Sequence, residues 1–435
     1  MPAPAQASSQ SFEPPPATRR WPLIAAIVIF VIGALIRLFA EFGFKGMGFD
    51  EALYRDYILM IDRVGLVEYP AICEYYVEDQ KKPETMAKLP PTRFLYIFCG
   101  WIAKRVGYGH APSVDLTKPG GVESDPALVS LHRVSLLFSV LTVGLCGLAA
   151  WRMAGPHIGL AVLALVAASP LSIHMGKHAL VDGFFAFWGM LCVWLLWENL
   201  KNPNNARWLI ALGCALALMV TAKENAFFVY VALCGSVAIN RWTKFGTVTR
   251  PLVLVGVLGP LFGVVMLVIL AGGMGTFVEI YQLLVSKAQN LDYAIATGDG
   301  PWFRYLLELT MIDPIVFILA VTGLVTLPRK SPAYGYLLTF LILSYILMCN
   351  VRYAMNMRYT TIWALPFATF AAAQLFNLAE SVKAYAKTMV IVSIAGICIF
   401  NLRQYKVLFV ENAIYEPVPT ATLKAMKILK EMPRK

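Results

Sequence analysis

The sequence predicts an all-α polytopic membrane protein of about 11 transmembrane helices. Three observations carry this. The 435 residues are 58% hydrophobic and only 14% charged, whereas soluble chains average about 45–50% apolar and about 25% charged. The apolar residues fall in continuous runs rather than in the short alternating strands of a membrane barrel. Most run centres carry no charge, and the ionisable residues gather at their ends.

Residues 1–20 are rich in Pro, Ala and Ser and read as a disordered cytoplasmic tail with no cleavable signal. The first run, 21–41, follows Arg19-Arg20 and is long enough to cross a bilayer, which takes about 20 residues. The segment 42–126 is a first outer loop. Within it 57–64, 70–76 and 93–106 interleave aromatic, aliphatic and charged residues, as helices lying in the membrane interface do. Pro119-Gly120-Gly121 marks its return to the membrane. Further runs cover 128–151, 157–173, 183–198, 207–222, 225–240 and 251–273, with Lys223-Glu224 a polar break inside 207–240. A second outer loop, 274–312, precedes runs at 313–327, 334–350, 360–379 and 387–402. A transmembrane domain is thus expected over 21–403, with 404–435 a short tail and no large soluble domain. No repeat of fixed period is present.

Basic residues at 19–20, 201, 207, 241, 244, 250, 329–330, 383 and 387 fall on one side if the N-terminus is cytoplasmic, which puts both long loops outside. The net charge of +11 belongs to these membrane flanks. A nucleic-acid binder would need a separate basic soluble domain, and the chain has none. The eight cysteines form no CxxC pair and read as small apolar fillers; Cys73 and Cys99 share the first loop and are the one pair placed to bridge in an oxidising compartment.

The residues that point to chemistry lie at the outer ends of the runs. Asp50-Glu51 stand where the chain leaves the first run. Lys177, His178 and Asp182 lie between the third and fourth runs, Lys223-Glu224 between the fifth and sixth, and Arg352 and Arg358 between the ninth and tenth. Gathered at one face, they suit chemistry on a lipid-borne substrate. A transporter or lipid flippase, the competing reading, needs polar groups or broken helices at mid-membrane in matching halves. A third reading is a non-catalytic subunit that keeps the same fold.

The motifs run in an order that resembles the GT-C glycosyltransferases, specifically the protein O-mannosyltransferase and aminoarabinose-transferase group. Gly48-Phe49-Asp50-Glu51-Ala52 is similar to that group's acidic motif after the first span. Leu89-Pro90-Pro91-Thr92 resembles its KPP element, with Lys88 one place early. Ser169-Pro170 followed by Lys177-His178-Ala179-Leu180-Val181-Asp182 looks like its SP…D segment, with Lys177 where Arg is usual. Thr221-Ala222-Lys223-Glu224 resembles its TKE turn, and Arg358-Tyr359 with Pro366 its RY…P start of a late span.

The resemblance implies a GT-C fold and a glycosyltransferase that moves a sugar from a polyprenyl phosphate to a lipid, glycan or protein acceptor, with inversion. Such an enzyme needs a carboxylate to take the acceptor's proton and cations to hold the departing phosphate. Asp50 is the expected general base; its structural alternative is a helix N-cap. Glu51 orients a neighbour or pairs with a cation, and Asp182 binds substrate or pairs with Lys177. Arg358 is the expected phosphate clamp, since its planar fork suits phosphate oxygens. Lys223 is a second cation or the partner of Glu224. Tyr359, Lys177, His178, Lys88 and Arg93 complete the donor-site candidates. No metal is expected to be required, although Asp50, Glu51 and Asp182 could converge on a divalent cation. The expected setting is a monomer among membrane lipids in a bacterial inner membrane, with its active site on the periplasmic face.

Overall fold

The structure, a computed structural model, describes residues 20–327, 331–351 and 355–416, apart from 42 and 45. The expected tail 1–19, the basic pair 329–330, Arg352 and residues 417–435 lie outside the described residues. Every described element is helical. In chain order they are α1 (Arg20–Phe39), α2 (Phe49–Val64), α3 (Tyr69–Lys81), α4 (Phe94–Tyr108), α5 (Gly121–Ser124), α6 (Pro126–Ala154), α7 (Pro156–Ala167), α8 (Pro170–Lys177), α9 (Val181–Lys201) and α10 (Ala206–Ala222). They continue with α11 (Ala226–Thr243), α12 (Arg250–Leu270), α13 (Met274–Gln289), α14 (Asp292–Thr297), α15 (Arg304–Ile312), α16 (Pro314–Thr326) and α17 (Pro332–Met348). A 3-10 segment, Met357–Trp363, leads into α18 (Ala364–Ala379), and α19 (Ala386–Tyr405) closes the series.

Among the described residues six helices are long and apolar enough to cross a membrane, or seven if the bent pair α7–α8 counts as one span. The expected count of 11 is not reached on length. Helices α10, α16 and α17 are shorter apolar elements, and at about 1.5 Å per residue a 13-residue helix spans only about 20 Å of a 30 Å hydrocarbon layer. The run expected at 157–173 is broken: α7 and α8 meet at 53°. Ser169 accepts a hydrogen bond from Ser172 N as the new N-cap, and Pro170 takes the first helical position.

Buried Arg37 holds this break. It donates from Nε to Ser139 Oγ, from Nη1 to the carbonyls of Gly33 and Ala167, and from Nη2 to the Val166 carbonyl and Ser172 Oγ, at 2.8–3.2 Å. The last carbonyls of α7, which have no partner within their own helix, are thereby satisfied. One cation near the end of α1 ties together α6, α7 and α8.

In the first loop the observed α2, α3 and α4 overlap the three interleaved stretches of the sequence, α2 starting eight residues earlier and α3 running five residues further. α2 and α4 pack on α6 through a continuous buried core that includes Tyr54, Ile58, Tyr96 and Leu131, while α3 lies against α2 and α13. α6 begins at Asp125, whose carboxylate accepts from the N–H groups of Ala127 and Leu128 and also pairs with Arg55 at 3.1 Å. After α19 the chain makes a wide turn and comes back, through residues 412–416, against the start of α2 and the end of α8. His174 Nε2 lies 2.9 Å from the Tyr415 carbonyl, and the Tyr415 ring rests 4.5 Å from the His178 ring and 5.0 Å from that of Phe44.

Candidate active site

The first turns of α2 and α9, the α10–α11 connection and the 3-10 segment after α17 meet at one place. Arg358 is its centre. Asn356 caps the 3-10 segment, its Oδ1 accepting from Arg358 N at 2.9 Å, and so fixes where the guanidinium begins. Arg358 Nη1 donates to Asp50 Oδ2 at 2.8 Å and lies 3.6 Å from Asp182 Oδ2. Its Nε is 2.8 Å from Glu416 Oε1, an ion contact rather than an aligned hydrogen bond. Asp50 and Asp182 sit in helical first turns, where the aligned peptide dipoles favour negative charge.

The charges alternate outward from there. Lys223 Nζ donates to Asp182 Oδ1 at 2.5 Å and stands 4.1 Å over the Tyr359 ring. Glu224 forms a two-pronged pair with Arg93, whose Nη1 also donates to Tyr54 OH at 2.5 Å. Lys223 therefore does not pair with its chain neighbour Glu224, and Asp182 does not pair with Lys177. The α10–α11 break sends the two adjacent side chains to different partners. Burial opposes both charges of the Arg93–Glu224 pair, yet their mutual attraction holds the guanidinium above its ordinary range and the carboxyl below its own.

Glu51 supports the site from behind. Its Oε2 accepts from Gly48 N at 2.6 Å, an N3 side chain reaching back to the N-cap. Its Oε1 accepts from Ala179 N at 2.8 Å and lies 3.1 Å from His178 Nδ1 and 3.6 Å from His132 Nε2. Burial works against the Glu51 charge, but the bonds from His132 and His178 outweigh it and keep the carboxyl below its usual range. Burial likewise lowers His178, so that the imidazole is neutral. Glu51 thus joins the start of α2 to the α8–α9 connection. Asp50 keeps 22% of its side chain exposed against 4% for Asp182, which makes it the carboxylate open to an incoming group.

Two sequence candidates stand apart from this cluster. Lys88 Nζ pairs with Asp79 at 2.8 Å, and Lys177 Nζ donates to the Leu38 carbonyl at 3.2 Å. Among the described residues no three His, Cys, Asp or Glu side chains converge to hold a metal ion. Asp50, Asp182 and Glu416 are turned toward Arg358 and Lys223 rather than toward a shared cation position. The eight cysteines are free, Cys73 and Cys99 included.

Two openings adjoin the cluster. A cavity of about 90 Å³ lies between α6, α7, α8, α9, α15, α16 and α18, walled by Leu165, Val316 and Phe367 and reaching Gly183 and Thr361, neighbours of the charged groups. A groove of about 1140 Å³ runs between α2 and α3, lined by Tyr57, Tyr75, Arg55, Arg63 and Asp79.

Comparison with known proteins places this arrangement. The family described as dolichyl-phosphate-mannose-protein mannosyltransferase matches residues 110–297, less than half of the chain. The oligosaccharyltransferase of Archaeoglobus fulgidus, tethered to an acceptor peptide containing the NVT sequon, superposes with a TM-score of 0.57 at 13% identity, over 89% of this chain and 55% of that one. The same enzyme with an inhibitory peptide and a dolichol-phosphate gives 0.56 at 12% identity over 92% and 56%. Apo ArnT of Cupriavidus metallidurans gives 0.50 at 14% identity over 94% and 77%. The chain has the GT-C fold.

It spans just over half the length of the oligosaccharyltransferase. A search of curated proteins finds no match. The family match covers Asp182, Lys177, His178, Lys223 and Glu224. Asp50, Glu51, Arg93 and Arg358 lie outside it and join the cluster only through the tertiary structure.

Sequence reasoning missed Glu416 and Tyr415, which lie in a segment that reads as a featureless tail. It also missed Glu224 as the partner of Arg93. A signal was available for Glu416 only in part: it is one of three acids, with Glu411 and Glu431, in a tail otherwise rich in lysine. Tyr415 leaves a trace at Gly48, where a Cβ would come within 2.5 Å of the tyrosine hydroxyl.

Proposed function

We propose that the protein is an integral membrane glycosyltransferase that takes its sugar from a polyprenyl-phosphate donor. The observation that carries the reading is the meeting of Asp50, Asp182, Lys223 and Arg358 beside a largely apolar cavity. The carboxylates and cations supply the two needs of the reaction, and the cavity gives the first isoprene units a place next to the charges. The acceptor oxygen or nitrogen attacks the anomeric carbon from the face opposite the phosphate, and its proton passes to Asp50. The bond between that carbon and the phosphate oxygen breaks, and its electron pair stays on the phosphate, whose growing charge Arg358 and Lys223 stabilise. Attack from the opposite face inverts the anomeric centre. The groove between α2 and α3, with its tyrosines and paired charges, suits a polar acceptor. Glu51 acts as a positioning residue.

The likeness to proteins whose structures hold a dolichol-phosphate and an acceptor peptide supports a lipid donor and a separate acceptor. The reading extends to a monomer in a bacterial inner membrane with the site on the periplasmic face. The test is transfer by purified protein from a panel of polyprenyl-phosphate sugars to lipid, glycan and peptide acceptors. Asp50→Asn should fold normally and lower turnover by about 10²–10⁴-fold. Full turnover in that variant removes Asp50 from the reaction. Movement of lipid or solute across proteoliposomes without covalent transfer favours a flippase or transporter instead.

A further inference from the structure

The guanidinium of Arg358 offers two edges to an anion, one made of its two terminal nitrogens and one that includes Nε. In this structure both are engaged by carboxylates: Asp50 on Nη1 and Glu416 on Nε, each at 2.8 Å. A phosphate taken by the fork of Arg358 therefore has to displace one of them. Asp50 belongs to the chemistry. Glu416 enters from the returning segment 412–416, and it is held in place. Its side chain is 6% exposed, Asn356 Nδ2 donates to its Oε1 at 3.0 Å, and Asn356 also caps the segment that carries Arg358. Its neighbour Tyr415 is packed against His178 and Phe44. A carboxylate buried this way on a cation is a built contact.

The charges of substrate and product give it a use. A polyprenyl-phosphate sugar is a phosphodiester with one negative charge. The lipid phosphate left after transfer is a monoester carrying about −1.5 to −2 near neutral pH. A bare cation would hold the product more tightly than the donor and stall turnover. We propose that Glu416 competes with lipid phosphate for Arg358, repelling the doubly charged product more than the singly charged donor, and so drives product release. This rests on Arg358 being the phosphate-holding group.

The test uses the full-length protein in detergent and two probes, farnesyl monophosphate and farnesyl-phosphoryl mannose. The readout is the ratio of their dissociation constants. Glu416→Gln keeps size and hydrogen bonding but removes the charge. It should raise the preference for the monoester by about tenfold or more, and Glu416→Asp should stay near the parent ratio. A purely structural role would move both affinities together and leave the ratio fixed; that result, or a shift toward the diester, overturns the proposal. If Glu416→Gln does not fold, Glu416→Ala is read the same way. Arg358→Lys separates the two levels. If it leaves both affinities unchanged, the phosphate role of Arg358 falls. If it weakens both while Glu416→Gln leaves the ratio fixed, only the release function falls.

Discussion

Glu51 and Asp50 are adjacent in the chain and opposite in circumstance. Asp50 keeps a fifth of its side chain open to an incoming group, while Glu51 is sealed and bonded to Gly48, Ala179 and His178. The neutral His178 beneath it gives a pH signature. Its folded pKa lies below the ordinary value near 6.5, so the unfolded chain takes up a proton first as pH falls. Stability is fully present above that value and lost on acidification. Glu51, also depressed, adds a second loss once pH approaches ordinary carboxyl values near 4.3. Thermal melts from pH 8 to 5 should show stability falling by up to about 1.4 kcal/mol per pH unit below pH 6.5. His178→Asn, which keeps a donor for Glu51 but cannot titrate, should flatten that slope. An equal slope in the variant assigns it to other groups. At this scale the sequence marked where the acids and cations are but not their pairings. Lys223 and Glu224 look like each other's partners in the chain, and only the α10–α11 break, which turns one toward Asp182 and the other toward Arg93, separates them.

Among the elements, the α7–α8 bend shows how a local signal is completed by a distant residue. Ser-Pro announces a new helix start. It does not announce what satisfies the carbonyls left behind, and that is Arg37, 129 and 130 residues away in sequence from the two it bonds. Arg37→Met fills similar volume but strands the Ala167 carbonyl and removes a donor from Ser172 Oγ, while the Val166 carbonyl keeps Ser169 N and Ser139 Oγ keeps the Ser172 carbonyl. Each buried group so stranded costs about 1–3 kcal/mol. The variant should therefore lose about 1–3 kcal/mol, seen as a lower midpoint in thermal or denaturant unfolding. A midpoint within one degree of the parent would mean that water or a shift of α8 takes over the bonds. The helices of the first loop were legible because aromatic and aliphatic residues interleave there with charges. The short helices α10, α16 and α17 were legible nearly to the residue, as the runs 207–222, 313–327 and 334–350; the error lay in counting runs this short as full spans.

For the whole molecule, the fold is held by apolar burial and buried polar ties, with no covalent cross-link. Cys73 lies buried against the Leu270 carbonyl at 3.7 Å, and Cys99 is free. A Cys73→Ser, Cys99→Ser double variant should keep its melting temperature within a few degrees, and reductant should not change the parent's transfer activity. A large loss on reduction would point to a bridge between these two or other cysteines. The sequence by itself determined that this is a helical membrane protein with its ionisable residues gathered at span ends, because burial in lipid forbids stray charge and leaves the pattern visible in one dimension. It also determined an order of motifs that resembles that of the GT-C glycosyltransferases. The tertiary structure alone decided that Asp50 and Arg358, 308 residues apart, touch, that Lys88 and Lys177 stand outside the cluster, and that the segment after α19 returns to set Glu416 on the same guanidinium. Such contacts depend on how the helices pack and where the chain turns back, and these are three-dimensional facts that no local spacing encodes.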